Sequence, residues 1–117
     1  VVFNLTPISA AEAREMLEDP MNEVLFSAAS LWEIVIKSAL RKADFKVDVA
    51  RLRPAFAEMG FAELPVSGAH AERLASLPPL HKDPFDRMLV AQSLAEPLVL
   101  LTNDGELAGY GNVVKVV

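Results

Sequence analysis

Short apolar runs alternate along the chain with longer segments in which apolar residues recur every three or four positions. The apolar runs fall within 23–28, 61–66, 98–102 and 112–116, and such runs are typical of strands buried on both faces. The longer segments, 8–19, 30–40, 47–60, 67–77 and 83–95, have the period of amphipathic helices, and a short helix is expected over 104–111. Strands that alternate with helices predict an α/β fold, a three-layer α/β/α sandwich with a mainly parallel central sheet.

Polar residues mark the expected start of each helix. The expected caps are Ser9 (in a capping box with Glu12), Ser30, Asp48 and Ser67. Pro54 interrupts the third helical segment, so a kink or two short helices are expected there, and Gly60 should end that segment.

The start of the chain does not fit the alternation. "VVFNLTP" makes a poor strand and runs directly into a helix, where a strand should come first. Two explanations remain at this point: the fold begins with a helix, or its first strand is missing from this sequence.

Composition limits the classes of function. The 117 residues suit a single domain over 1–117, and a net charge of −5 argues against a protein that coats nucleic acid. Acidity does not exclude an enzyme that meets phosphates through divalent cations held by carboxylates. Cysteine is absent, the apolar runs are too short to span a membrane, and no signal peptide is visible, so we expect a cytoplasmic protein without membrane contact.

The stretch "HKDPFDRMLVAQSL" carries two aspartates in front of an apolar helix. Asp83 suits the N-cap, with Pro84 as the first helical residue. Asp86 then falls in the first turn, where a carboxylate favours the positive end of the helix dipole. For this stretch alone, capping explains both acids better than metal binding does.

Three acids nevertheless fall where α/β sheets form their sites, near the carboxyl ends of the strands. Glu33 follows the strand in 23–28, Asp104 follows the strand in 98–102, and Asp86 lies in the first turn of the helix that leads into that strand. Each has a structural explanation, as a charge at a helix start or as a cap. Together, without His or Cys ligands, they favour a hard-oxygen site for Mg²⁺ or Mn²⁺ that could activate water against a phosphodiester.

Three segments, "EVLFSAASLWEIVIKSALRK", "HKDPFDRMLVAQSL" and "LVLLTND", resemble the PIN-domain family, in particular the VapC-type ribonuclease toxins of toxin–antitoxin pairs. The resemblance runs in order from about Ser9 to the C-terminus. It implies a PIN-like sandwich and a metal-dependent endoribonuclease whose carboxylate ligands map onto Glu33, Asp86 and Asp104. Asp83 matches a motif aspartate that we interpret as the helix cap.

The sequence departs from the family at its start. The family opens with a strand ending in a "LDTH"-like run whose aspartate is a metal ligand, and no such run is present. "VVFN" resembles the segment that comes after that motif. We therefore expect the first strand and its acidic ligand to be absent from this sequence, with a decayed family member as the competing explanation.

Other polar residues near the predicted site are weaker candidates for substrate contact. For each charged residue among them, ordinary surface charge is the better explanation. They are Thr102, Asn103, Arg87, Lys37 and His81. A histidine in a loop ahead of a cap is more often solvated than functional.

The resemblance also implies partners: an RNA substrate, a cognate antitoxin that neutralises the enzyme, and a second copy of the chain, with Trp32 and Phe26 as interface candidates. The alternative is a catalytically incomplete PIN-like domain that acts as a binding or dimerisation module. A receiver-type signalling domain ranks last, because the acidic pair after the first strand and the late lysine that such a domain needs are not visible.

Overall fold

The computed structural model of the chain describes residues 1–4, 11–40 and 47–117, except for the side chains of Glu12 and Ala13. In chain order the elements are β1 (Val2–Phe3), α1 (Ala11–Glu18), β2 (Leu25–Ser27), α2 (Ala28–Leu40), α3 (Val49–Glu58), β3 (Ala62–Leu64), α4 (Gly68–Ala75), α5 (Pro84–Ala95), β4 (Leu100–Thr102), a 3₁₀ helix (Gly105–Tyr110) and β5 (Val114–Val116). None of the helices in these ranges is both long and apolar enough to cross a membrane.

The strands form one five-stranded sheet in the order β3-β2-β1-β4-β5, and every pair is parallel. The four strands predicted from apolar runs all lie inside their predicted ranges. The helices flank this sheet, which confirms the α/β fold class.

The expectation that the first strand is missing is wrong. Val2–Phe3 is a strand, and it is the central one, paired with β2 on one side and β4 on the other. Val2 N–H donates to the Val99 carbonyl at 2.9 Å, Asn4 N–H donates to the Leu101 carbonyl at 2.9 Å, and Leu25 N–H donates to the Val1 carbonyl. "VVFN" therefore contains the first strand itself, and Asn4 stands at the carboxyl end of that strand.

Alternate residues of the central strands pack into two cores, one on each face of the sheet. Val2 and Leu100 belong to one buried cluster, and Phe3 and Leu101 belong to the other. This alternation is the period of two that a pleated strand imposes. Phe26 lies in the second core at 3% exposure, so it is wrong as a candidate for an interface with another chain.

Most of the expected helix starts are confirmed. Asp48 accepts from Ala50 N–H at 3.0 Å, and Ser67 forms a capping box with His70. Ser30 is wrong as a cap: α2 begins at Ala28, where Ser27 Oγ accepts from Ala29 N–H at 3.0 Å. The box between Ser9 and Glu12 lies outside the described residues and side chains.

The third helical segment forms one helix, α3, with Pro54 inside it, so two short helices are not found. Gly60 follows the helix with a φ of +84°, a left-handed conformation that glycine adopts without strain. The residue after it, Phe61, donates its N–H to the Phe56 carbonyl at 3.0 Å. These contacts confirm Gly60 as the stop.

Asp83 caps α5 as predicted. Its Oδ1 accepts from Phe85 N–H at 2.8 Å and from Asp86 N–H at 3.2 Å, and Pro84 is the first helical residue. Two backbone donors that the helix itself cannot satisfy are thus paired by one side chain.

We expect Asp83→Ala to lower the free energy of unfolding by about 0.5–2 kcal/mol relative to Asp83→Asn. The asparagine variant keeps the capping acceptor while removing the same charge, so the comparison isolates the cap. Urea unfolding monitored by circular dichroism measures the difference. Equal stability of the two variants would show that Pro84 and packing fix the helix start without the cap.

Candidate metal centre

Polar side chains meet at the edge of the sheet where parallel strands end. Asn4 follows β1, Asp104 follows β4 by two positions, and Asp86 is the third residue of α5. Because the strands are parallel, their carboxyl ends reach the same edge, which brings the turn after β4 close to the turn after β1.

The Asp86 carboxyl group is largely enclosed, with 13% of its side chain exposed. Asn4 Nδ2–H donates to its Oδ1 at 3.3 Å. Burial, followed by the negative charges of Asp83 and Glu33, raises the pKa of Asp86 to about 6, against smaller opposite effects of His81 and Asn4. A carboxylate that is buried beside other carboxylates is a position that a cation stabilises.

Asp104 is held by three contacts. Its N–H donates to Thr102 Oγ1 at 3.1 Å, and its Oδ1 accepts from Glu106 N–H at 2.9 Å, which caps the 3₁₀ helix. Its Oδ2 lies 3.0 Å from His81 Nε2. The cap expected for Asp104 is thus present together with its position at the site, because the two carboxylate oxygens contact different groups.

His81 joins the two aspartates, and it is not solvated as expected: only 10% of its side chain is exposed. Its Nε2 lies 3.0 Å from Asp104 Oδ2, 3.5 Å from Glu106 Oε2 and 3.7 Å from Asp86 Oδ2. Its Nδ1 accepts from Asp83 N–H at 3.1 Å. A nitrogen that accepts has no proton, so the ring proton is on Nε2 and is donated to Asp104.

Among the described residues, His81, Asp86 and Asp104 can offer ligand atoms within 4.8 Å of one another. The tautomer of His81 decides how they would act. Since Nε2 carries the proton, its lone pair is not available to a cation, and the carboxylate oxygens of Asp86 and Asp104 are the donors. Oxygen donors of this kind suit Mg²⁺ or Mn²⁺, so the donor set fits such an ion.

Glu33 lies outside that three-residue cluster. Its Oε2 lies 3.0 Å from Lys37 Nζ, one helical turn later in α2, and only 12% of the Glu33 side chain is exposed. Its charge still contributes to the raised pKa of Asp86. The structure therefore brings two of the three predicted acids together and places the third near enough to act through its charge.

Three of the residues predicted to contact substrate have contacts within the chain. Thr102 is buried, and its hydroxyl accepts from Asp104 N–H, so it positions an acid instead of facing a substrate. Arg87 Nη2 lies 3.5 Å from the Leu77 carbonyl, and Lys37 pairs with Glu33. Asn103 is exposed at the turn beside Asp104, where it remains accessible.

Asn4 is the residue that the sequence interpretation missed. Its side chain is buried at 2% exposure, and its Nδ2 contacts both Asp86 Oδ1 at 3.3 Å and Thr102 Oγ1 at 3.4 Å. The available signal was a polar residue directly after the apolar run "VVF". Asn4 occupies the end of the first strand, where the resemblance places an aspartate, and it supplies an amide where that residue would supply a charge.

Comparison with known proteins identifies the family of this domain. The sequence pattern of the PIN domain matches residues 2–112, which includes β1 and the acids described above. No curated protein matches the chain at a significant level. PIN domains are typically metal-dependent nucleases, and the Asp86–Asp104 pair with His81 is a cluster that could hold a metal. The match covers nearly the whole chain from the first strand onward, and the chain belongs to the PIN domain family.

Proposed function

We propose that this chain is a single-domain, Mg²⁺- or Mn²⁺-dependent endoribonuclease that acts as the toxin of a toxin–antitoxin pair. The observation that carries the proposal is the convergence of Asp86 and Asp104 on His81 at the carboxyl edge of the sheet. The membership of the PIN family supports nuclease chemistry, and the similarity of "SAASLWEI" and "HKDPFDR" to VapC-type toxins supports the toxin role.

In this proposal Asp86, Asp104 and Glu33 hold the cation through carboxylate oxygens. The bound ion would supply a Lewis acid that activates water and neutralises charge on the phosphodiester. His81 orients Asp104 by donating from Nε2, and Asn4 orients Asp86 by donating from Nδ2. Glu33 would have to give up its contact with Lys37, and Lys37 would then be free to meet an RNA phosphate.

Two partners belong to the proposal. A cognate antitoxin would neutralise the enzyme by covering the acidic site, and the chain would form a homodimer. The exposure of Trp32, at 62%, leaves one of the predicted interface residues accessible. Both partners are supported by the resemblance to VapC-type toxins.

A second candidate function is a catalytically incomplete PIN-like domain that serves as a binding module. Asn4 favours this candidate, because it removes one negative charge from the end of the central strand. The ion pair of Glu33 with Lys37 acts in the same direction, since it offsets a second charge.

The first prediction from the proposal concerns the acids. Glu33→Gln, Asp86→Asn and Asp104→Asn each keep the shape of the side chain and remove a charge, so metal-dependent RNA cleavage should fall by more than the roughly 10–100-fold that loss of an outer-shell partner costs. Cleavage of single-stranded RNA at saturating Mg²⁺ and Mn²⁺ measures the loss. Asp48→Asn, at an exposed cap remote in sequence from these acids, serves as the control and should cleave as wild type does. Wild-type rates in all three site variants would contradict the proposal.

The second prediction separates the two candidate functions. Asn4→Asp adds a negative charge next to Asp86, so it should lower the Mg²⁺ concentration for half-maximal cleavage by about tenfold, because ligand charge sets cation affinity. Asn4→Ala should not produce this shift. If neither wild type nor Asn4→Asp cleaves RNA under any metal condition, the binding-module candidate replaces the enzyme.

A further inference from the structure

Three buried polar side chains contact one another away from the metal centre: Ser27 at the end of β2, His70 in α4 and Gln92 in α5. Ser27 and Gln92 are fully buried, and His70 is almost so. Burial of a hydroxyl, an imidazole and an amide costs free energy unless their polar atoms are hydrogen-bonded. The partners of these atoms therefore show what the three residues, which we call the buried polar cluster, hold in place.

The amide of Gln92 is held in one orientation. Its Oε1 accepts from the Ser27 hydroxyl at 2.6 Å. Its Nε2–H donates to the Pro65 carbonyl at 3.3 Å, and Nε2 lies 3.4 Å from His70 Nδ1. That imidazole nitrogen also accepts from Ser67 N–H, so it carries a lone pair and no proton. A rotated amide would place Oε1 against two acceptors, which excludes the opposite orientation.

Ser27 extends this constraint from α5 to α2. Its Oγ accepts from Ala29 N–H at 3.0 Å, while its own proton is donated to Gln92. The first turn of α2 is thus joined to α5 by two successive hydrogen bonds that share one buried oxygen. Hydrogen bonds in such a chain strengthen one another in an interior of low dielectric constant.

Apolar packing between the first turns of α2 and α5 is incomplete. A groove of about 480 Å³ lies between them, and apolar side chains line it, among them Ala29, Trp32 and Phe85 from the helices and Val66 and Leu74 beside them. Dispersion contacts are individually weak and have no preferred direction, whereas a hydrogen bond requires a particular distance and angle. The buried polar cluster therefore constrains the spacing of the two helices more closely than this packing does.

Each of the two helices carries one acid of the proposed metal site. Glu33 follows Ala29 by four residues, about 6 Å along α2. Asp86 precedes Gln92 by six residues, about 9 Å along α5. Glu33 lies outside the cluster of possible ligands, yet it is near enough for its charge to act on Asp86. The position of α2 relative to α5 therefore sets whether both carboxylates can reach one cation.

We propose that Gln92 is a positioning residue of the metal site, which holds α2 against α5 through Ser27 and so places Glu33 within reach of the cation at Asp86. The proposal rests on the proposed function for the presence of that cation. It gives Gln92 no contact with the metal or with RNA. A cluster that only stabilised the fold would affect metal binding equally with and without the Glu33 carboxylate.

Binding of Mn²⁺ in the absence of RNA measures this role. The electron paramagnetic resonance signal of free Mn²⁺ gives Kd independently of cleavage. Gln92→Met keeps a side chain of similar volume and removes the acceptor for Ser27. It should raise Kd about 10- to 100-fold, as loss of a residue that supports a metal ligand does. Ser27→Ala breaks the same hydrogen bond from the other side and should give a similar loss.

The loss must depend on Glu33. In a Glu33→Gln background, Gln92→Met should weaken Mn²⁺ binding no further, because the acid that it positions is already absent. Should circular dichroism show that Gln92→Met does not fold, Ser27→Ala in the same two backgrounds gives the answer.

Ser93→Ala is the matched control. Ser93 is equally buried on the same helix, and its hydroxyl donates to the Leu89 carbonyl at 2.9 Å within α5. Its removal deletes a buried hydrogen bond without touching the contact between α2 and α5. The variant should therefore bind Mn²⁺ with the Kd of wild type.

The outcomes separate this proposal from the proposed function. A loss of Mn²⁺ affinity that disappears in the Glu33→Gln background supports the positioning role even if no RNA is cleaved. An unchanged Kd in both Gln92→Met and Ser27→Ala, or an equal loss in both backgrounds, overturns the role and leaves the metal site intact. If wild type binds no Mn²⁺, the metal-dependent enzyme is overturned, and the positioning role with it.

Discussion

Parallel pairing of β1 with β2 on one side and β4 on the other brings the carboxyl ends of three strands to one edge of the sheet. Asn4, Asp104 and the start of α5 meet there because each continues from a strand, or begins a helix, at that edge. Deep burial of Val2, Leu100 and Leu101 holds the strands in register. A one-residue slip would turn these side chains to the opposite faces and separate the polar groups of the site.

The geometry of that edge has an electrostatic consequence. Burial of Asp86, followed by the negative charges of its cap Asp83 and of Glu33, raises the pKa of Asp86 to about 6. Asn4, which donates to Asp86, and His81, which contacts Asp104, offset only part of this effect on the pKa of Asp86. The charged form of Asp86 therefore lowers the free energy of unfolding, and a divalent cation bound at this site would offset that loss.

Much of the scaffold could be predicted from the sequence, since four of the strands and most of the caps have local signals. The central strand could not, because its two residues are too few to show a period and its pairing depends on β2 and β4. Glu33 and Asp104 could be predicted as site acids from their places after strands, and Asp86 from its place in the first turn of α5. The roles of Thr102, Arg87 and His81 did not, because they depend on side-chain direction and on contacts across the fold, such as His81 N–H with the Tyr110 hydroxyl at 3.2 Å.

Asp86 is thus kept in an unfavourable charged state that a bound cation would stabilise. The pKa of Asp86 is about 6 in the folded chain against an ordinary value of 3.8. The stability that the uncharged carboxyl group contributes is therefore fully present below pH 4 and is lost as the pH rises through 6. The direct measurement is the free energy of unfolding of wild type and Asp86→Asn from pH 4 to 8, in EDTA and in Mg²⁺.

In EDTA we expect Asp86→Asn to be more stable than wild type by on the order of 1–2 kcal/mol above pH 6, with the difference shrinking as the pH falls toward 4. Mg²⁺ should stabilise wild type and leave the variant nearly unchanged, because only the charged site binds the ion. If the two proteins have the same stability at every pH, or if Mg²⁺ stabilises both equally, Asp86 is an ordinary first-turn acid of α5 and the proposed cation site is contradicted.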